Sequence, residues 1–179
     1  NKHGSVDPKI IKSYALFVII GVIVGTSLAS IMKTKGLILF FTIVVYFLSI
    51  YLLFLKEKAQ DTKPNFNLLP KIVFGFISGF VSAPMGIGGA VMNVPILKYF
   101  GYPINKAIGS AAAIGFFIAL FGAIGFLISG SYLDVDLPLS IGFINIPALL
   151  IFIPITTFMA KLGANAVHKI EKQKITKFF

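Results

Sequence analysis

Residues 82–97 read SAPMGIGGAVMNVPIL, an apolar run interrupted by two prolines, three glycines and one asparagine. Glycines at 86, 88 and 89 admit positive φ and leave main-chain N–H groups unscreened by side chains. A helix beginning near Ala90 adds the positive end of its dipole, so the stretch can bind an anion without a buried cationic side chain. The expected substrate-binding residues are Gly86, Gly88 and Gly89 as backbone donors, with Asn93 and Ser110 orienting the ligand. Pro84 and Pro95 hold the helix break, and Ser78 and Ser82 are further hydroxyls able to orient a ligand. Asn93 has a second reading, in which its amide satisfies a neighbouring backbone group.

Other patterns point to packing. Glycines four apart in GVIVG (Gly21, Gly25) and GFISG (Gly75, Gly79) are the spacing of close helix contact. Pro147 and Pro154 are expected to kink a helix, with Asn145 capping the freed backbone. GIGGAV lacks the preceding strand and acidic partner of a dinucleotide fingerprint. His3 and His168 are solitary, and the apolar segments hold no acid–base pair, HExxH or Ser-His arrangement. No metal, cofactor or enzymatic chemistry is therefore expected.

The elements that carry these residues must be membrane helices. Hydrophobic residues make up 57% of the 179 and charged ones 12%, with a mean hydropathy of +0.94, which excludes an ordinary soluble domain. Five windows, Ser13–Met32, Leu37–Leu55, Ile72–Leu97, Ala107–Gly130 and Leu139–Ala160, contain no Asp, Glu, Lys or Arg. Each reaches or approaches the roughly 20 residues that span a hydrocarbon core. The expected fold is an all-α integral membrane protein, a helical bundle with a discontinuous or re-entrant segment. Irregular backbone at membrane depth survives only inside protein or beside a water-filled cavity, so the break at residues 84–89 requires one of these. None of the five windows offers the intramembrane carboxylate usual in a proton relay.

The formal charge is +10, and all 16 basic residues are lysines between or beyond the apolar blocks. That placement fits retention of lysine on one side of a lipid bilayer and not nucleic-acid binding. If residues 72–97 cross once, the lysines divide seven against nine; if they return as a hairpin, they divide fourteen against two. The second division is the asymmetry orientation rules expect. The absence of cysteine removes disulfides and thiolate sites.

Two stretches echo each other, beginning at Val6-Asp7 and Val135-Asp136 and ending at Phe40-Phe41 and Phe178-Phe179. Such weak internal similarity is typical of transporter halves. With the polar linker at residues 56–71, it divides the chain into residues 1–67, the end of a first repeat with two helices, and 68–179, most of a second. The polar start and the abrupt Lys-rich end read as a piece of a longer chain whose final helix is missing.

GFISGFVSAPMGIGGAVMNVPILKYFGYPINKAIGSAAAIGF resembles the second signature of the sulfite exporter TauE/SafE family. The matching steps are Gly75–Gly79, Gly86–Gly89, Val94–Leu97 and Ala107–Ala111, with departures at Pro84 and Gly109. The resemblance implies the back two-thirds of a two-repeat secondary transporter. It also implies small sulfur-containing anions, sulfite or organosulfonates, moved across the cytoplasmic membrane by a multi-pass protein. A missing N-terminal half, or a second copy in a homo-oligomer, would be its partner. The alternative function is a non-transporting membrane scaffold or remnant subunit of a split or decayed transporter gene.

Overall fold

A proline at the first position of a helix has a suitable φ and lacks an N–H that would be unpaired there anyway. The computed structural model describes Val6 and residues 8–54, 67–133 and 138–169, and it opens α1, Pro8–Ile31, on such a proline. α2 (Thr34–Phe54), α3 (Leu68–Met85), α4 (Ala90–Tyr99) and α5 (Ile104–Tyr132) follow. A two-stranded antiparallel hairpin, β1 (Ser140–Ile141) and β2 (Ile144–Asn145), leads into α6 (Ile146–Lys169). The echo starts at Asp7 and Val135-Asp136, its end at Phe178-Phe179, and linker residues 56–66 lie outside the described residues.

Helices in lipid gain little from hiding apolar surface, so close packing and hydrogen bonds must join them. The two glycine pairs do this for α1 and α3. A Cβ at Gly21 would strike the Phe76 carbonyl, at Gly25 the Phe80 carbonyl, and at Gly79 the Val18 carbonyl, while Gly75 lies on Tyr14 and Phe17. Contacts advance together along both helices, so α1 and α3 run parallel. α5 runs the same way, with Gly122 facing Val22 and Gly125 against Thr26. The core lies between them: Ile10, Tyr14, Val18 and Val22, one turn apart on α1, pack with Leu97 of α4 and Ala107, Ile114 and Ile118 of α5.

α1, α3 and α5 contain the stretches long and apolar enough to cross a membrane. The apolar stretches in α2 and α6, Thr34–Ile50 and Ile146–Ala160, are shorter, and α4, at 10 residues, is about 15 Å long. The expected apolar window over residues 72–97 is therefore two helices. Ser78 Oγ of α3 donates to Asn93 Oδ1 of α4 at 2.9 Å, although a straight helix would separate them by about 22 Å. The rings of Phe74 and Phe100 meet at 5.6 Å. The segment is a hairpin: α4 folds back toward the start of α3.

Each turn of this hairpin has a local cause. Pro84 withholds an N–H from the Phe80 carbonyl, and α3 ends at Gly86 in the left-handed conformation, φ +62. α4 ends in a Schellman arrangement, with Gly101 N–H donating to Lys98 O at 3.0 Å and Tyr102 N–H to Leu97 O at 3.1 Å. Pro103 then precedes α5.

The window Leu139–Ala160 is also not one helix. Gly142, at φ +58, takes the first position of a two-residue turn between β1 and β2, so the helix starts only at Ile146. Pro147 consequently sits in the first turn of α6 and does not kink it. Asn145 does not cap backbone freed by a kink but the start of α6, its Oδ1 accepting Ala148 N–H at 2.9 Å. Pro154 alone lies inside α6.

Candidate functional site

The three glycines at the hairpin tip divide their work. Gly86 and Gly88 hold φ of +62 and +71, and a Cβ on either would meet nothing within 4 Å. Gly89 precedes α4 and packs against α5: a Cβ there would stand 2.6 Å from the Gly115 backbone and 3.0 Å from Ala111 O. The first two face open space; the third permits close approach.

That open space is a cavity of about 270 Å³ between the hairpin and α5. Ser82, Ala83, Gly86 and Gly88 form one wall, and Ile118, Gly122 and Phe126 belong to the other. Among the described residues, no charged side chain lines it. Ser82 is fully buried, and its Oγ has no hydrogen-bond partner among the described residues. A buried hydroxyl left unpaired costs about 1–3 kcal/mol, so its retention calls for an explanation. Among the described residues, the N–H groups of Ile87, Gly88 and Gly89 also take no backbone acceptor. Gly86 N–H makes a 3.3 Å bond to Ala83 O. The tip thus combines unpaired donors, the amino end of α4 and a neutral wall, an arrangement suited to negative charge.

Asn93 and Ser110 are fully buried and do not line this cavity. Asn93 Oδ1 accepts from Tyr14 Oη at 2.8 Å and from Ser78 Oγ at 2.9 Å. Its Nδ2 donates to Gly89 O at 2.7 Å, and its backbone N–H reaches the same carbonyl at 3.0 Å. Reversing the amide would set Oδ1 against the Gly89 carbonyl, so the partners fix its orientation. Ser110 sits on α5, one turn before Ile114 of the core. Pro95 is buried in the middle of α4.

The structure therefore brings Gly86 and Gly88 to one cavity and Asn93 with Gly89 to an adjoining hydrogen-bond cluster. Tyr14, Gly115 and the α5 wall were not among the residues singled out in the sequence. Tyr14 carries the spacing-of-four stripe with Ile10, Val18 and Val22, which marks it as inward-facing, but that spacing does not name its partner. Among the described residues no cluster of His, Cys, Asp and Glu is placed to hold a metal.

Comparison with known proteins gives this geometry a context. The family model for sulfite exporter TauE/SafE matches residues 1–179. The chain belongs to the sulfite exporter TauE/SafE family. It is 33% identical over 141 residues to a probable membrane transporter protein of Haemophilus influenzae, covering 79% of this chain and 53% of that protein. It is 32% identical over 120 residues to a probable membrane transporter protein of Methanocaldococcus jannaschii, covering 66% of this chain and 43% of that one. The chain thus spans about half the length of these relatives. No solved structure matches it. TauE/SafE is a family of membrane transporters and not of enzymes, in keeping with the all-α membrane fold.

Proposed function

We propose that this TauE/SafE chain is part of a secondary transporter that moves small sulfur-containing anions, sulfite or organosulfonates, across the cytoplasmic membrane. The observation that carries the reading is the cavity at the hairpin tip, where the unpaired Ser82 hydroxyl and left-handed Gly86 and Gly88 share one wall. The anion takes hydrogen bonds from Ser82 Oγ and from the N–H groups before α4, and the helix dipole offsets its charge. Its remaining surface lies on the apolar wall of α5. No cationic side chain need be buried, so the anion's charge is only partly offset by the helix dipole, which lets the ion leave again. Residues 1–67 belong to a first repeat and 68–179 to a second, with the hairpin as the broken element that such carriers place at mid-membrane.

The test is sulfite binding by the purified chain in lipid nanodiscs, followed by sulfite flux in proteoliposomes. Gly88→Leu puts a side chain into the cavity and imposes a β-carbon on a left-handed residue. It is expected to weaken sulfite binding at least tenfold, about 1.4 kcal/mol. Unchanged affinity in that variant would remove the tip from the binding site.

A further inference from the structure

We infer that Asn93 is a positioning residue that holds the hairpin tip through the carbonyl of Gly89, with Tyr14 and Ser78 as its anchors. The inference rests on the anion reading for what the tip presents, but not for how the tip is held.

Three features carry it. First, Asn93 does not line the cavity, and its amide is engaged on both sides: Oδ1 takes two hydroxyl donors and Nδ2 gives to Gly89 O. Second, the anchors come from different helices. Tyr14 lies on α1, Ser78 on α3, and all three residues are fully buried. A single amide thereby adds hydrogen bonds from α4, which packs chiefly on α5, to two further helices. Third, the pull is applied at the tip. Gly89 O receives both the side-chain and main-chain N–H of Asn93, while the other face of Gly89 is wedged against Gly115. The glycine immediately after Gly88 is held from two sides, which sets the direction of the preceding N–H groups.

The two serines of α3 are one helical turn apart, on one face, with separate tasks. Ser78 serves the clasp, and Ser82 is left to the cavity.

The chain's lack of cysteine permits a readout that does not depend on any ligand. Ile87→Cys places one thiol at the tip, and its labelling rate by a water-soluble maleimide reports how firmly the tip is held. Rates are compared in nanodiscs, well below the thermal midpoint of every variant, with Tyr14→Phe, Ser78→Ala, the pair together, and Asn93→Ala. The expected result is faster labelling in each, with the pair matching Asn93→Ala at about tenfold or more, and sulfite affinity falling in step. Tyr14→Phe added to Asn93→Ala should change nothing further. If labelling accelerates but even the parent binds no sulfite, the clasp stands and the anion reading fails. If Asn93→Ala alone loses sulfite while the Tyr14→Phe, Ser78→Ala pair alters neither quantity, Asn93 touches the ligand and the inference is overturned. Unchanged labelling in every variant would overturn it as well, leaving the cluster as packing.

Discussion

Ser82 shows how a residue proposed to bind an anion can oppose stability. Its buried hydroxyl has no partner among the described residues, whereas Thr26 and Ser27 on α1 each return a hydrogen bond to their own helix. Replacing an unpaired buried hydroxyl with a methyl removes the desolvation cost without making a large cavity. Ser82→Ala should therefore raise stability by about 1 kcal/mol in thermal or denaturant unfolding. The same change should weaken sulfite binding about tenfold, as expected for losing a hydrogen bond to a charged group. Opposite signs in the two measurements are what distinguish a site residue from a packing residue. A loss in both would assign Ser82 to the core.

At the scale of elements, the α1–α3 contact depends on glycines that let backbones meet. Gly79→Ala sets a β-carbon on the Val18 carbonyl, with no flexible side chain to move aside. The expected loss is about 1–3 kcal/mol, typical of overpacking. Gly122→Ala is the internal comparison, because its β-carbon would meet only Ala83 and Val22 at 3.9 Å, ordinary contact. Alanine also favours helix over glycine by about 0.8–1.0 kcal/mol, so Gly122→Ala should be neutral or stabilising. Equal losses in the two variants would mean that the Gly79 effect does not come from its contact with Val18, since helix propensity favours alanine at both positions. Phe80 adds a detail of chemistry: its carbonyl, lacking the N–H that Pro84 cannot give, lies against Gly25. That close approach suits a weak Cα–H···O contact.

For the whole molecule, the hairpin determines which ends of the helices share a side. α1, α3 and α5 run parallel, and α4 returns toward the start of α3, so Asn67 and Pro103 belong to one end and Tyr132 to the other. Single cysteines at Asn67, Pro103 and Tyr132, each exposed, should react with a membrane-impermeant maleimide from one side for the first two and from the opposite side for the third. Labelling of Pro103→Cys and Tyr132→Cys from the same side would exclude this arrangement in the membrane. The described lysines follow the same geometry: with the hairpin, Lys98 and Lys106 lie toward the end that holds Lys71, and Lys33 and Lys35 lie toward the other.

The sequence by itself determined the membrane class, the place of the break and the packing glycines. These follow from local composition: uncharged runs near a membrane's thickness, prolines without N–H groups, and glycines at the spacing of one helix face. It also marked Asn145 as a capping residue, although for a kink and not for the helix start that it caps. The tertiary structure decided what local pattern cannot encode. Asn93 and Tyr14 meet across 79 positions, and Gly89 differs from Gly86 and Gly88 in its right-handed backbone and in its contact with Gly115 on another helix. The apolar window at residues 139–160 concealed a strand pair, since short apolar runs carry no period that separates strand from helix. Hydropathy reports which residues leave water; which partner each one finds depends on how the helices are brought together.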